Sequence, residues 1–391
     1  MYHPHQIRAS DEALSILLLS GCVLVAGEPR VGKTRTAIRM VELSPARNAL
    51  VLTKKAAIKG WQSEIDAVKP EKIITVTNYE QAPKLLAEFD LVILDESHNL
   101  GKVGKPNQRF KAVKAITWGC PIILLSGTPT VESALQIYHQ TAVSKHSPFK
   151  QHKNFYSFFR EYGIPDPVWV QGRSIEQYKK AKPALEHLID TFTVKVTQSD
   201  AGISAQANDV VHTVELDLET EDLIREIVQE GVAFSGGRQL VFDTDMGVRM
   251  AVHQIESGAL LYEDELLLLD NGEVVAYILD TWGDSHELGL MVHYRSTKLK
   301  LRQWFKKASI YSSQGDAEGV DLSALKHFVI VNTGFSGAKH IQRRDRIVNM
   351  NVASDRVVHH IVTSGGISKD VYEAVSLKRD YNLAMFRRGR V

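Results

Sequence analysis

Apolar and polar positions along the first third of the chain fall into a repeating pattern. Up to about residue 130, short apolar runs rich in β-branched residues alternate with helical patterns. The runs are Cys22–Ala26, Ala49–Thr53, Ile73–Val76, Leu91–Leu94 and Pro121–Leu125, and the helical patterns begin near Gly32, Lys55, Tyr79 and Asn107. Continuous apolar runs of this length, separated by helices, predict strands buried on both faces, and so a parallel sheet in an α/β unit. From about Tyr138 to Asp190 the texture turns aromatic and Lys-rich, broken by Gly163-Ile164-Pro165-Asp166-Pro167, which predicts a helical insertion. Phe192–Val196 and Val210–Leu216 read as strands flanking a linker of small polar residues, Ser199 to Asn208. A second α/β rhythm follows, with strands Leu290–His293, Ser309–Ser312, Phe328–Val331 and Val357–Val362 and helices from Thr297, Ala338 and Ser368. Between the halves, Gly258 to Asp280 carries a hairpin pattern with Asp270-Asn271-Gly272 as its turn. The pattern predicts two lobes, 1–209 and 210–391, similar only in rhythm.

The first predicted strand leads straight into Gly27-Glu28-Pro29-Arg30-Val31-Gly32-Lys33-Thr34, a Gly-x-x-x-x-Gly-Lys-Thr phosphate loop, and a helical pattern follows. A triphosphate tail needs many donors at once, and backbone N–H groups at a helix N-terminus supply them. Glycine lets the loop curl close. Lys33 can then reach the β- and γ-phosphates, while the Thr34 hydroxyl suits a magnesium ion. Residues Gly27, Glu28, Pro29, Arg30, Val31, Gly32, Lys33 and Thr34 form the candidate ATP-binding segment.

Leu91-Val92-Ile93-Leu94 ends in Asp95-Glu96-Ser97-His98. A carboxylate at the end of a strand next to the phosphate-loop strand can hold magnesium, usually through water, and Asp95 is placed for that. Glu96, one residue on, is free to orient and deprotonate the water that attacks the γ-phosphate. The chemistry expected of Lys33, Asp95 and Glu96 is hydrolysis of a nucleoside triphosphate with Mg2+.

Composition narrows the partners. Over 391 residues, 47 basic and 46 acidic side chains leave a net charge of +1, so nucleic-acid binding has to come from local patches. The clearest are Lys298 to Lys307, Arg343 to Arg346 and Arg387-Arg388-Gly389-Arg390. Cys22 and Cys120 each begin an apolar strand, which suggests buried free thiols in a reducing compartment, and no His/Cys cluster has zinc spacing. The apolar stretch from Ala13 to Gly27 is too short to span a membrane, and cleaving it as a leader would remove the strand that feeds the phosphate loop.

The phosphate loop with Asp-Glu-Ser-His resembles the nucleoside-triphosphate engine of superfamily 2 helicases and translocases. Ala49 to Thr53 with Trp61 and Glu64 resembles motif Ia of the Swi/Snf-like branch, Thr77-Asn78-Tyr79-Glu80 motif Ib, and Leu125-Ser126-Gly127-Thr128-Pro129-Thr130 motif III. Leu290 to Tyr294 is similar to motif IV, Ser313-Gln314-Gly315-Asp316-Ala317-Glu318-Gly319-Val320-Asp321-Leu322 to motif V, and Gln342-Arg343-Arg344-Asp345-Arg346 to motif VI. All stand in the family's order. The insertion after motif III and the compact size resemble small Swi/Snf-like helicases of bacteriophages in particular.

The resemblance implies two RecA-like lobes and several roles. Gln6, just before the first helix, is placed like a glutamine that reads adenine, though it is equally an ordinary polar N-terminal residue. Arg346 would be the arginine finger and Arg343 a second contact, with Asp321 a further ATP contact. His98, Ser126, Thr128 and Gln342 would couple hydrolysis to a nucleic-acid groove. Lys54, Lys59, Thr77, Lys298 and Ser313 would touch backbone phosphates without reading sequence. Two departures stand out: Asn349 replaces the arginine expected three residues after Arg346, and the stretch Tyr294 to Ser313 is short for the family. The partner implied is DNA before RNA, in a bacterial or phage-infected host cytoplasm. Three readings stay open: a DNA-dependent ATPase that moves along or unwinds DNA, an ATP-driven remodeller of nucleoprotein or branched DNA, and a nucleotide-gated binding module.

Overall fold

The computed structural model describes residues 2–85, 87–130, 133–170, 173–269, 272–312, 322, 324–348, 352 and 354–389. Ser313, Asp321 and the rest of 313–321 lie outside the described residues, as do Asp270, Asn271, Asn349 and Arg390. The chain divides into two compact α/β units, Met1–Ile203 and Ser204–Val391.

In the first unit, helix α1 (Pro4–Ser20) precedes β1 (Cys22–Gly27), α2 (Lys33–Leu43), β2 (Asn48–Thr53), α3 (Ile58–Val68), β3 (Ile73–Asn78), β4 (Leu91–Asp95), α4 (Gln108–Thr117) and β5 (Ile122–Ser126). An insertion follows, with α5 (Ile137–Thr141), α6 (Phe155–Tyr162), β6 (Gly163–Ile164), β7 (Pro167–Val170), β8 (Arg173–Glu176), β9 (Lys180–Ala181) and α7 (Pro183–Asp190). It holds the expected helices and also two antiparallel ribbons, β6 with β9 and β7 with β8, which the sequence pattern did not predict. The chain then returns as β10 (Thr193–Val196), and the main sheet is parallel throughout in the order β10-β1-β5-β4-β2-β3.

The strands are apolar at every position because both faces are covered. Leu24, Leu50, Val92 and Leu124 pack on one side with α4 and the insertion, whereas Val25, Val51, Ile93 and Ile123 pack on the other with α1, α2 and Trp61. The helix expected near Tyr79 is a 3₁₀ turn, Ala82–Lys84, entered through an Asn78 side chain that accepts from Gln81 N at 2.9 Å.

The second unit contains β11 (Ala207–Val214), α8 (Leu218–Glu230), β12 (Val232–Ser235), β13 (Arg238–Val241), α9 (Asp245–Ile255), β14 (Ala259–Tyr262), β15 (Glu265–Leu268) and α10 (Glu273–Trp282). It continues with β16 (Leu288–Val292), α11 (Arg295–Trp304), β17 (Ser309–Ser312), β18 (His327–Ile330), α12 (Gly337–Arg344), β19 (Arg356–Thr363), α13 (Ser368–Ser376) and α14 (Leu383–Arg388). Its sheet is also parallel throughout, in the order β11-β19-β18-β16-β17, so the short stretch after Tyr294 still supplies a helix and an edge strand. Two hairpins, β12-β13 and β14-β15, stand apart from it. The β14-β15 hairpin turns at Glu263-Asp264, both at positive φ, and not at Asp270-Asn271-Gly272; Gly272 instead begins α10. Asp-Asn-Gly is a strong turn signal, but the hairpin closes before it, and of the three only Gly272 is described, at the start of α10.

Burial holds several second-unit histidines neutral. It lowers the pKa of His253 and His340 to about 3 and that of His293 and His359 to about 4. In the first unit, burial lowers His139 and His146 below the usual value. An unfolded histidine titrates near ~6.5, so between that pH and the folded values the unfolded chain binds more protons. This stability is complete above the unfolded pKa and is lost as pH falls toward 4. Hydrogen exchange at pH 7 and pH 5, corrected for intrinsic rates, should therefore show protection of the second sheet falling further than that of the first.

Candidate functional site

The phosphate loop occupies the turn between β1 and α2. Gly32 and Arg30 both have left-handed backbones, with φ of 78° and 69°. At Gly32 the requirement is also steric, since a Cβ would lie 2.2 Å from Gln6 Nε2. Gln6 sits inside the first turn of α1 rather than before it, because Pro4 opens the helix; its Oε1 accepts from His3 N at 3.0 Å. Its buried Nε2 has no partner among the described residues. The loop is tied to the end of β10, which the sequence reading missed: Glu28 N donates to Val196 O at 2.9 Å, and the Glu28 carboxylate accepts from Gln198 N at 2.6 Å. Thr34 is the second residue of α2, and Lys33 Nζ donates to Gly27 O at 2.8 Å and Glu28 O at 3.1 Å. Burial lowers the Lys33 pKa, opposed by the charges of Glu96, Asp95 and Glu28.

Asp95 ends β4, and β4 is not the neighbour of the phosphate-loop strand: β5 lies between them. Chain order alone could not show this, since β5 is made after β1 to β4 and enters between the first and the fourth. The consequence is that Ser126 ends, and Gly127 follows, a strand set between the loop and the carboxylates. Asp95 Oδ2 accepts from Thr53 Oγ1 at 2.7 Å and Trp61 Nε1 at 2.9 Å, and Oδ1 accepts from Glu96 N at 3.0 Å. Tyr79 Oη donates to the Asp95 carbonyl at 2.7 Å. Burial raises the Asp95 pKa and the adjacent Glu96 charge adds to it, while Thr53, Trp61 and Lys33 pull it down. The sequence paired Trp61 with Thr53 in one motif, and the structure joins both on one carboxylate oxygen.

Glu96 has a left-handed backbone, φ 49°, an uncommon conformation for a side chain of this size. The turn is held by Asn99, whose side chain donates to Glu96 O at 2.7 Å. Glu96 Oε2 lies 3.3 Å from His98 Nδ1, and the same ring nitrogen lies 3.0 Å from Ser126 Oγ. Ser126 Oγ in turn accepts from Thr128 N at 3.1 Å. Glu96 Oε2 makes no hydrogen bond among the described residues and meets the ring as a 3.3 Å contact, from which His98, Ser126 and Thr128 continue as a hydrogen-bonded path. A parallel buried tie was not foreseen: Ser97 Oγ donates to Gln140 Oε1 at 2.8 Å, and Gln140 Nε2 donates to Pro129 O at 2.5 Å. No local sequence signal marks Gln140, which sits in α5 of the insertion.

The other sequence-derived candidates are dispersed. Lys54 is half-buried at the start of a 3₁₀ turn, Lys59 is exposed on α3, and Thr77 is half-buried on the edge strand β3. In the second unit, Lys298 is half-buried on α11, Gln342 and the buried Arg343 lie on α12, and Arg346 is half-buried on the turn Asp345–Ile347. Arg344, between the two candidate arginines, is committed to the fold, donating from Nε to both oxygens of Asp209 at 2.8 Å.

Asp95 and Glu96 bring two carboxylates against the single ammonium of Lys33, and this excess negative charge fits a divalent cation. Among the described residues, this site included, no group of three or more His, Cys, Asp or Glu could hold a metal, and no helix is long and apolar enough to cross a membrane. Cys22 and Cys120 are free and buried.

No protein-family model and no curated protein matches the chain. Among solved structures, the chain is similar to the crystal structure of the Hef helicase domain of Pyrococcus furiosus. The two are 13% identical with a TM-score of 0.46, over 95% of this chain and 97% of that one.

Trp61→Phe removes one of the two side-chain donors to Asp95 Oδ2 with little change in packing. It should cost about 1–3 kcal/mol in urea melts. It should also raise the Asp95 pKa further, moving the acid limb of an ATPase pH profile to higher pH. An unmoved limb would mean that ionisation of Asp95 does not govern turnover.

Proposed function

We propose that the chain is an ATP-dependent DNA helicase or translocase, which couples ATP hydrolysis to movement along DNA or to its unwinding. The observation that carries this reading is the path from Glu96 through His98 and Ser126 to Thr128, beside the phosphate loop. A simple ATPase needs the first of these groups but has no use for a route leading away from it.

In this reading the loop N–H groups and Lys33 bind the triphosphate tail, and Thr34 and Asp95 hold the magnesium ion. When bound there, the ion supplies positive charge that neutralises the phosphate oxygens. Glu96 orients a water molecule and takes its proton as the water oxygen bonds to the γ-phosphorus; the bond from phosphorus to the bridging oxygen breaks and ADP leaves with that oxygen. Trp61 and Thr53 keep Asp95 ionised and turned away from that proton. Arg346 is the guanidinium we assign to the charge developing on the transferred group, and its arrival from the second unit would make hydrolysis depend on closure. Once Glu96 is protonated, its attraction for His98 falls, and His98 can shift its bond with Ser126. The segment beginning at Thr128 then feels the state of the phosphate.

Lys54, Lys59, Thr77, Lys298 and Ser313 are assigned to phosphates of the DNA backbone, which positions a strand without reading its bases. DNA is preferred to RNA through the sequence resemblance to the Swi/Snf-like branch.

ATP turnover should be measured side by side with single-stranded DNA, duplex DNA, forked DNA and RNA at one stated salt concentration. DNA should raise turnover, and Glu96→Gln should lower it by roughly 10²-fold or more while ATP still binds. If no nucleic acid raises turnover, or if Glu96→Gln turns over like the wild type, the motor reading fails.

A further inference from the structure

The insertion carries one buried polar side chain that its own packing does not need. Helix α5 is buried along its whole length, with Tyr138 and His139 packed among Phe110, Phe155 and Phe158. An apolar residue would serve at position 140 in that setting, because an amide is costly to bury unless its polar atoms find partners. Gln140 is fully buried, and its partners lie on the two loops of the site. Its Oε1 accepts from Ser97 Oγ, and its Nε2 donates to Pro129 O, with a longer bond of 3.3 Å back to Gln136 O.

Ser97 follows Glu96, whose left-handed backbone is a strained conformation for a glutamate and persists only where its surroundings hold it. Asn99 holds the carbonyl of that turn, and Gln140 pins the next residue. Pro129 follows Thr128, where the hydrogen bonds through His98 and Ser126 end. One amide therefore joins both loops. The loop after His98 is pressed directly on it, since a Cβ at Gly101 would lie 3.0 Å from Gln140 Nε2 and 3.0 Å from His98 O. His139 anchors the same helix, donating from Nδ1 to Lys102 O and stacking on Phe155 at 5.6 Å. Phe155 in turn meets Tyr178, 5.4 Å away between β8 and β9. A shift of Ser97 or Pro129 is thus resisted by a close-packed aromatic layer.

We propose that Gln140 is a positioning residue for hydrolysis: by fixing the spacing of Ser97 and Pro129 it keeps the Glu96 turn in its reactive pose, and it makes turnover depend on how the insertion is seated. The inference rests on the role proposed above for Glu96.

The test is steady-state ATP hydrolysis by the full chain carrying Gln140→Leu, Ser97→Ala, both together, or Ser147→Ala. Ser147 Oγ donates to Thr141 Oγ1 at 3.0 Å, so Ser147→Ala removes a buried bond to α5 that involves neither loop. Gln140→Leu and Ser97→Ala should each lower kcat about tenfold at an unchanged KM for ATP, since small misplacements of a reacting group are costly. The double variant should turn over like Gln140→Leu, because Ser97 acts through the same amide, and Ser147→Ala should stay within about twofold of the wild type. A merely structural tie would make turnover follow stability, so the double variant, which leaves one fewer buried group unpaired, would regain activity. That result overturns the positioning role. So does a Gln140→Leu variant that changes KM alone, stays within about twofold of the wild type, or falls no further than Ser147→Ala. Should Gln140→Leu not fold, Ser97→Ala reads the same bond from the other side, under the same limits. Glu96→Gln separates the two readings. If it turns over like the wild type, the role of Glu96 fails and this inference with it; if it is inactive while Gln140→Leu is unimpaired, only this inference fails.

Discussion

A buried carboxylate with a second acidic side chain beside it needs donors and cations arranged to match it, and Asp95 imposes that demand on the first unit. The surrounding elements can be understood as answers to it. β2 supplies Thr53, α3 supplies Trp61, and α2 supplies Lys33, while Tyr79 fixes the carbonyl of Asp95. The parallel sheet makes this convergence available, since all its strands end at one edge and the loops after them open in the same place. At the left-handed turn of Glu96 the second carboxylate comes to 3.3 Å from His98 Nδ1.

Strand order gives the arrangement its functional direction. Because β5 separates β1 from β4, the residue that follows its apolar core, Ser126, meets His98 and reaches Thr128. Gln140 repeats the tie from the insertion, joining Ser97 to Pro129. The insertion is therefore attached to the same two loops as the chemistry, through buried hydrogen bonds that are costly to leave unmade.

In the second unit, the corresponding edge of the sheet has the opposite sign. Arg249, Lys339 and Arg343 gather around one cleft, and the neighbouring histidines are kept neutral by burial. Arg344 is neutralised by Asp209, with His360 Nε2 3.0 Å from the same carboxylate. Within this basic segment, Arg344 is thus an arginine that holds the fold together.

Much of this was legible before any coordinates. Apolar runs with no polar face can be stable only between two layers, so the sequence by itself determined the parallel strands and the α/β class. The phosphate loop and Asp95-Glu96-Ser97-His98 are local chemistries, in which adjacent residues carry their own geometry. The Asp270-Asn271-Gly272 turn misled because local propensity cannot tell the turn of a hairpin from the start of the helix that follows it. Tertiary structure alone decided that β5 enters between β1 and β4, that Thr53 and Trp61 share one oxygen of Asp95, that Gln140 reaches Ser97, and which arginine Asp209 claims. Each of these joins residues far apart in the chain through a hydrogen bond or a strand pairing. Their partners are chosen by packing, which no periodicity in the sequence records.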